Sequence, residues 1–170
     1  YILISILIFT SCSKENTFET EGNINTETPI EVIKKPNILL IIADDMGLDA
    51  SPNYTVGSIK PNLPIIENLV QTGITFNNVW SNPTCSPTRA TILTGKYGFN
   101  TGVLKVDDEL STSETSLQKY LDTQLNSTYS SAVIGKWHLS KDANHPNNIG
   151  LNYYAGSIGG GLKNYWDWDL

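Results

Sequence analysis

Arginine is almost missing from this 170-residue chain: a single one stands at position 89, among 11 basic side chains set against 17 acidic ones. A formal charge of −6 leaves little for a nucleic acid to grip, and that partner class is disfavoured. Charged residues make up 16% of the chain, below the roughly 25% of an average globular protein. With 39% hydrophobic residues most of the chain can bury a core, which excludes general disorder. No apolar run reaches the ~20 residues of a membrane-spanning helix. Cysteine is scarce, with Cys12 and Cys85 alone. The chain opens on Tyr1 rather than methionine and closes on Tyr165, Trp166 and Trp168. It is therefore expected to be a piece of about one domain, cut at both ends.

The two cysteines keep different company. Cys12 follows the run Ile2–Phe9, which has the length of a signal-peptide apolar region. Thr10 and Ser11 before Cys12, and Ser13-Lys14-Glu15-Asn16 after it, resemble the lipobox of a bacterial lipoprotein. That resemblance implies lipidation at Cys12 and export to the periplasm, outer membrane or cell surface. A cleaved secretion signal or a buried strand are the alternatives. Residues 1–12 are thus read as signal peptide and lipobox, and residues 13–35, rich in Thr, Glu, Asn and Ser, as a flexible tether. Residues 36–170 form the folded part. In an exported chain Cys85 is then left without a second cysteine in this sequence, and it is either a buried inert residue, the partner of a cysteine outside the sequence, or a reactive position.

From Pro36 onward the apolar segments are short and separated by helical patterns. Asn37–Ala43 is apolar on both faces, as in a central parallel strand. Leu63–Gln71 reads as a helix ended by Gly73, with Pro64 tolerated in its first turn. Ile74–Trp80 reads as a second strand. Pro83–Gly95 reads as a turn and a helix, with Pro87 at the first helical position and Cys85 just before it. Thr115-Ser116-Leu117-Gln118 opens a further helix as a capping box, and Ser131–Ile134 is a third strand stopped by Gly135. Strands alternating with helices predict an α/β domain with a mainly parallel sheet flanked by helices. Such sheets bind ligands at the carboxyl ends of their strands. Asp44-Asp45, the Cys85 turn and Lys136-Trp137-His138 should therefore share one crevice.

Each of these groups has its own chemistry. Two adjacent carboxylates repel unless something positive lies between them; a hard cation such as Ca²⁺, or less well Mg²⁺, satisfies them, and a solvated turn is the plain alternative. Cys85 near a helix start sits among free backbone N–H groups that favour an anion. Arg89 early in the same helix opposes the dipole and needs an anionic partner, either a structural carboxylate or a tetrahedral oxyanion. Lys136 and His138 add a point charge and an imidazole after the third strand. His145, in a polar loop, is expected to be solvated.

Together these residues resemble the N-terminal part of a formylglycine-dependent sulfatase of the alkaline phosphatase superfamily. The signature Cys85-Ser86-Pro87-Thr88-Arg89, extended through Gly95, carries most of the match. Pro36-Asn37-Ile38 through Asp44-Asp45-Met46-Gly47, Lys60-Pro61-Asn62-Leu63, Thr101-Gly102-Val103 and Gly135-Lys136-Trp137-His138-Leu139 follow in the family's order, with Ser140 where glycine is usual. The resemblance implies an alkaline-phosphatase-like fold and hydrolysis of sulfate esters; a sulfated polysaccharide is the substrate class that fits an exported, tethered protein. It implies that a maturation enzyme converts Cys85 to Cα-formylglycine, whose hydrated aldehyde is the nucleophile. Asp44, Asp45 and the modified Cys85 would hold Ca²⁺; Arg89 and Lys136 would stabilise developing charge, and His138 would act beside the nucleophile. The family's remaining ligands and leaving-group residues would follow Leu170, so the 170-residue piece is expected to be inactive alone. A phosphodiesterase or phosphonate-type hydrolase of the same superfamily is one alternative. A non-catalytic lipoprotein that binds sulfated glycans is another.

Overall fold

The computed structural model describes residues 35–126, 128–162, 164 and 166. The signal and lipobox reading of residues 1–12, with Cys12, and all but the last residue of the 13–35 tether lie outside these. The chain divides into two units, Tyr1–Leu40 and Ile41–Leu170. Of the first, the described residues 35–40 are exposed and carry no regular structure.

In the second unit the order is α1 (Pro64–Thr72), α2 (Cys85–Thr94), a 3₁₀ turn (Gly98–Asn100), α3 (Leu117–Gln124), β1 (Ala132–Ile134), α4 (His145–Asn148) and β2 (Tyr153–Ala155). Local chemistry sets most of these boundaries. Pro64 opens α1 in the first turn, where its missing N–H costs nothing. Gly95 ends α2 in the left-handed region at φ 68° and returns its N–H to Thr91 O, the usual device of a helix C-terminus. The cap of α3 is Ser116, whose Oγ accepts from Lys119 N at 3.1 Å. That hydroxyl also donates to Ile149 O at 2.8 Å, tying α3 to the end of α4.

β1 and β2 pair in parallel with Ala132 opposite Tyr153, Val133 opposite Tyr154 and Ile134 opposite Ala155. A parallel pair needs a crossover, and residues 135–152 with α4 supply it. The pairing runs on past β1: Gly135 N, Trp137 N and His138 N donate to Ala155 O, Ser157 O and Ile158 O at 2.8–3.0 Å. Lys136 and His138 therefore hang on a backbone braced along its length.

The core consists of Ala90, Val103, Leu110, Trp137, Leu139, Ile149 and Leu151, with Leu93, Val133, Tyr154 and Ile158 packed against it. Two of its members, Trp137 and Leu139, belong to the segment that carries Lys136 and His138. Each large apolar side chain in the core contributes about 1.5–3 kcal/mol on burial.

Several expectations need correction. Neither Asn37–Ala43 nor Ile74–Trp80 forms a strand, and both segments leave large apolar side chains in solvent: Leu39, Ile41, Ile74, Phe76, Val79 and Trp80 are 72–91% exposed. A strand is defined by its ladder, and these segments find none among the described residues. Cys85 is the first residue of α2 rather than the residue before it, Pro87 is the third, and Arg89 is one turn in. The sequence pattern did not anticipate β2.

Candidate active site

Asp44 follows an exposed stretch without regular structure and lies with Asp45 in a turn, Asp45 at φ 57°. The loop that follows is gathered by Lys60, whose ammonium donates to Leu48 O, Ser51 O and Val56 O at 3.2, 2.9 and 2.6 Å. This holds the turn behind the acidic pair.

Asp44 is the meeting point of two cations. Lys136 Nζ lies 2.5 Å from Oδ2, and Arg89 Nη2 3.6 Å from Oδ1. Partial burial pushes the Asp44 carboxyl upward, but the Lys136 hydrogen bond and the charges of Arg89 and Lys136 outweigh it, and the net displacement is below the ordinary value. For Lys136 burial acts downward, and its bond and attraction to Asp44 win, leaving the ammonium above its ordinary value. Arg89 Nη1 also donates to Lys136 O at 2.5 Å, whereas its buried Nε has no partner among the described residues. A buried guanidinium N–H without an acceptor is uncommon and suits an oxyanion.

Cys85 is half-buried in the first turn of α2, and its Sγ lies 3.1 Å from His138 Nδ1. On the other side of the ring, His138 Nε2 lies 2.8 Å from Asp107 Oδ1. A carboxylate accepts, so Nε2 carries the hydrogen and Nδ1 is turned toward residue 85. Asp107 N in turn donates to Ser86 Oγ at 3.3 Å, which ties the acid to α2. Asp45, Asp107 and His138 all have φ between 57° and 65°. Left-handed backbone at residues other than glycine is costly, and such residues collect at functional sites.

The structure gathers Arg89 and Lys136 on Asp44 and sets Cys85 against His138, two residues on from Lys136. Asp45 makes no side-chain hydrogen bond or ion pair among the described residues. Three participants were not foreseen. Asp107 had no signal, since nothing in Val106-Asp107-Asp108 marks a partner 31 positions away. Gly160 lies against His138, where an added Cβ would fall 2.4 Å from Cε1; the Gly159-Gly160-Gly161 run was its only trace. His145, expected in solvent, is 4% exposed and hydrogen-bonded on both nitrogens.

The pair Asp44-Asp45 offers the hard oxygen donors that Ca²⁺ takes, but two carboxylates fall short of its usual six to eight oxygens. No group of three or more His, Cys, Asp or Glu side chains among the described residues converges on a metal position. The donor type fits the ion, and the number does not complete a site within these residues.

A cysteine at a helix start, two cations on one carboxylate and a histidine set between that cysteine and an acid are thus gathered on an α/β frame. The chain belongs to the Sulfatase family, whose model matches residues 36–169. It is 36% identical to mouse (Mus musculus) arylsulfatase G over 72% of this chain and 24% of that protein. It is 31% identical to the N-acetylgalactosamine-6-O-sulfatase of Bacteroides thetaiotaomicron over 81% and 25% respectively. Among solved structures, the crystal structure of Ps i-CgsB matches with a TM-score of 0.64 at 30% identity, over 75% of this chain and 29% of that one. A second structure of it, in complex with k-i-k-neocarrahexaose, gives 0.63. The chain spans about a quarter of the length of the curated relatives it matches. These likenesses bear out the alkaline-phosphatase-like α/β fold.

Proposed function

We propose that the protein hydrolyses sulfate esters of glycans, using residue 85 after a maturation enzyme has converted it from cysteine to Cα-formylglycine. The observation that carries this reading is the placement of the Cys85 side chain 3.1 Å from His138 Nδ1 at the start of α2, beside the Arg89–Asp44–Lys136 cluster. The hydrated aldehyde of formylglycine offers one hydroxyl for attack and a second for release, which a thiol does not. His138 Nδ1 holds or moves the proton of that hydroxyl. Arg89, with its free Nε, and Lys136 bind the oxygens of the tetrahedral anion and stabilise charge that spreads over them. Asp107 keeps the imidazole in the required tautomer and orientation. Asp44, Asp45 and the modified residue 85 would hold Ca²⁺, which when bound supplies Lewis-acid polarisation.

The glycan assignment draws on a relative named for N-acetylgalactosamine 6-sulfate chemistry and on the structure carrying a neocarrahexaose. Lipidation at Cys12, with residues 13–35 as tether, would set the domain at the cell surface or in the periplasm, where such polymers are met.

The test is a pair of rates on an aryl sulfate and the matching aryl phosphate, measured with full-length protein co-expressed with a formylglycine-generating enzyme. Faster sulfate release is expected. Faster phosphate or phosphonate turnover would assign the alternative hydrolase, and glycan binding without turnover the non-catalytic lipoprotein.

A further inference from the structure

His145 stands outside the group of residues that face Cys85, yet one ring nitrogen holds the turn that presents Lys136 and His138 and the other holds Leu110, which is itself bonded to that turn. Trp137 Nε1 lies 3.1 Å from His145 Nδ1, and His145 Nε2 lies 2.6 Å from Leu110 O. Both partners are one-way groups: an indole N–H donates and a carbonyl accepts. The hydrogen of His145 is therefore on Nε2, and the ring is a neutral bridge from Trp137 to Leu110. Leu110 N closes the circuit by donating to Leu139 O at 2.9 Å. The loop of contacts Trp137–His145–Leu110–Leu139 encloses His138 on both sides along the chain.

All four of these residues are at most 4% exposed, so no water replaces a lost partner cheaply. The Trp137 ring is further wedged between His145 and Tyr154, with centroid distances of 5.7 and 5.9 Å. His138 needs such bracing because its φ of 58° is one that a residue with a Cβ leaves when it is free to do so.

We propose that His145 is a positioning residue, which through Trp137 and Leu110 fixes the backbone from Lys136 to Leu139 and so the aim of the His138 ring and the Lys136 ammonium. This rests on the proposed role of those two residues in sulfate ester hydrolysis. Catalysis is sensitive to displacements near 1 Å, which can cost about 10²-fold in rate.

Two substitutions in the full-length protein separate positioning from bulk stability. His145→Leu fills the space but orphans Trp137 Nε1–H and Leu110 O. His145→Gln restores both bonds, its amide oxygen accepting from the indole and its amide nitrogen donating to the carbonyl. On an aryl sulfate, His145→Leu should lower kcat about 10- to 100-fold with KM little changed, and His145→Gln should recover most of the loss. Trp137→Phe should also lower kcat, and combining it with His145→Leu should add little beyond His145→Leu alone, since the bond lost in Trp137→Phe is one of the two already lost in His145→Leu. Unchanged kcat in His145→Leu, or no rescue by glutamine, overturns the proposal. A second readout needs no turnover: in ¹H–¹⁵N spectra the Trp137 indole and His138 amide signals should move in His145→Leu and stay near wild type in His145→Gln. Fixed His138 signals in the leucine variant overturn the positioning role whatever the enzyme's activity. Shifted signals in a protein without sulfatase activity support it while defeating the functional reading.

Discussion

Nδ1 of His138 faces the sulfur of Cys85 at 3.1 Å, although 53 residues separate them in sequence. The contact joins the start of α2 to the turn after β1, and the proposed mechanism starts from position 85. Mass spectrometry of the Cys85 peptide, purified from the native host alongside a known modified control, should show the formylglycine mass. A thiol that stays unmodified while the control is converted would remove the nucleophile from the mechanism.

His138 occupies left-handed backbone, with φ 58°, so its replacement has to be chosen with that in mind. Asparagine tolerates this region far better than a β-branched residue. His138→Asn should therefore keep a melting temperature near wild type while kcat falls about 10²- to 10⁴-fold, the usual worth of a positioned acid/base group. His138→Val should lose stability as well. Equal activity of His138→Asn and wild type would leave the imidazole without a chemical role.

Asp45 offers a way to test the cation without disturbing the Lys136 and Arg89 contacts, since both of those cations pair with Asp44. Added Ca²⁺ should raise the melting temperature of the full-length protein, as any ligand of the native state does. EDTA should reverse the rise, and Asp45→Asn should abolish it. A calcium-dependent rise that persists in Asp45→Asn would place the ion elsewhere.

How much of this was open to reading from sequence follows from how each contact is made. The ends of α1, α2 and α3 are set by Pro64, Gly95 and Ser116 acting on their own backbone neighbours, and such signals survive in a linear string. The grouping of Lys136 and His138 was legible because they follow a strand end, that of β1; Asp44 and Cys85 were placed beside them by the same argument, although the segments before them form no strand. The segments Asn37–Ala43 and Ile74–Trp80 misled, because apolar composition states a need for cover and not the presence of a ladder partner. Asp107, Gly160 and His145 were invisible for another reason. An acid at a ring edge, a missing side chain under a ring and a buried imidazole owe their places to residues 31, 22 and 35 positions away. No periodicity encodes that.

The Asp44–Lys136 pair should leave a pH signature in EDTA-treated protein. Asp44 is displaced below its ordinary 3.8, so its contribution to stability is present above that value and lost as pH falls through the lower folded one. Lys136 is displaced above 10.5, so its contribution is present below that value and lost as pH climbs past it. Between these limits the contribution is flat, and because both groups are partly exposed it is small, about 0–1 kcal/mol. The melting-temperature gap between wild type and Lys136→Met should hold constant from about pH 5 to 9 and close in stronger acid. A gap that changes near neutrality would implicate another titrating group.

Gly160 supplies the sharpest steric test. A Cβ there would lie 2.4 Å from His138 Cε1 and 2.5 Å from Nε2, the nitrogen that meets Asp107. Carbon cannot approach an imidazole so closely, so either the ring or the glycine loop has to yield. The ring is held by Cys85 on one side and Asp107 on the other, with its backbone N–H bonded to Ile158 O. Its displacement breaks at least one of those contacts. Gly160→Ala should thus cut kcat by about 10²-fold, the cost of misplacing a catalytic group by near 1 Å, while a retained melting temperature would show that the loop absorbed no general damage. Gly159→Ala, where an added Cβ meets nothing within 4 Å, is the control and should retain activity. If the two alanine variants behave alike, contact with His138 is not what glycine at position 160 protects.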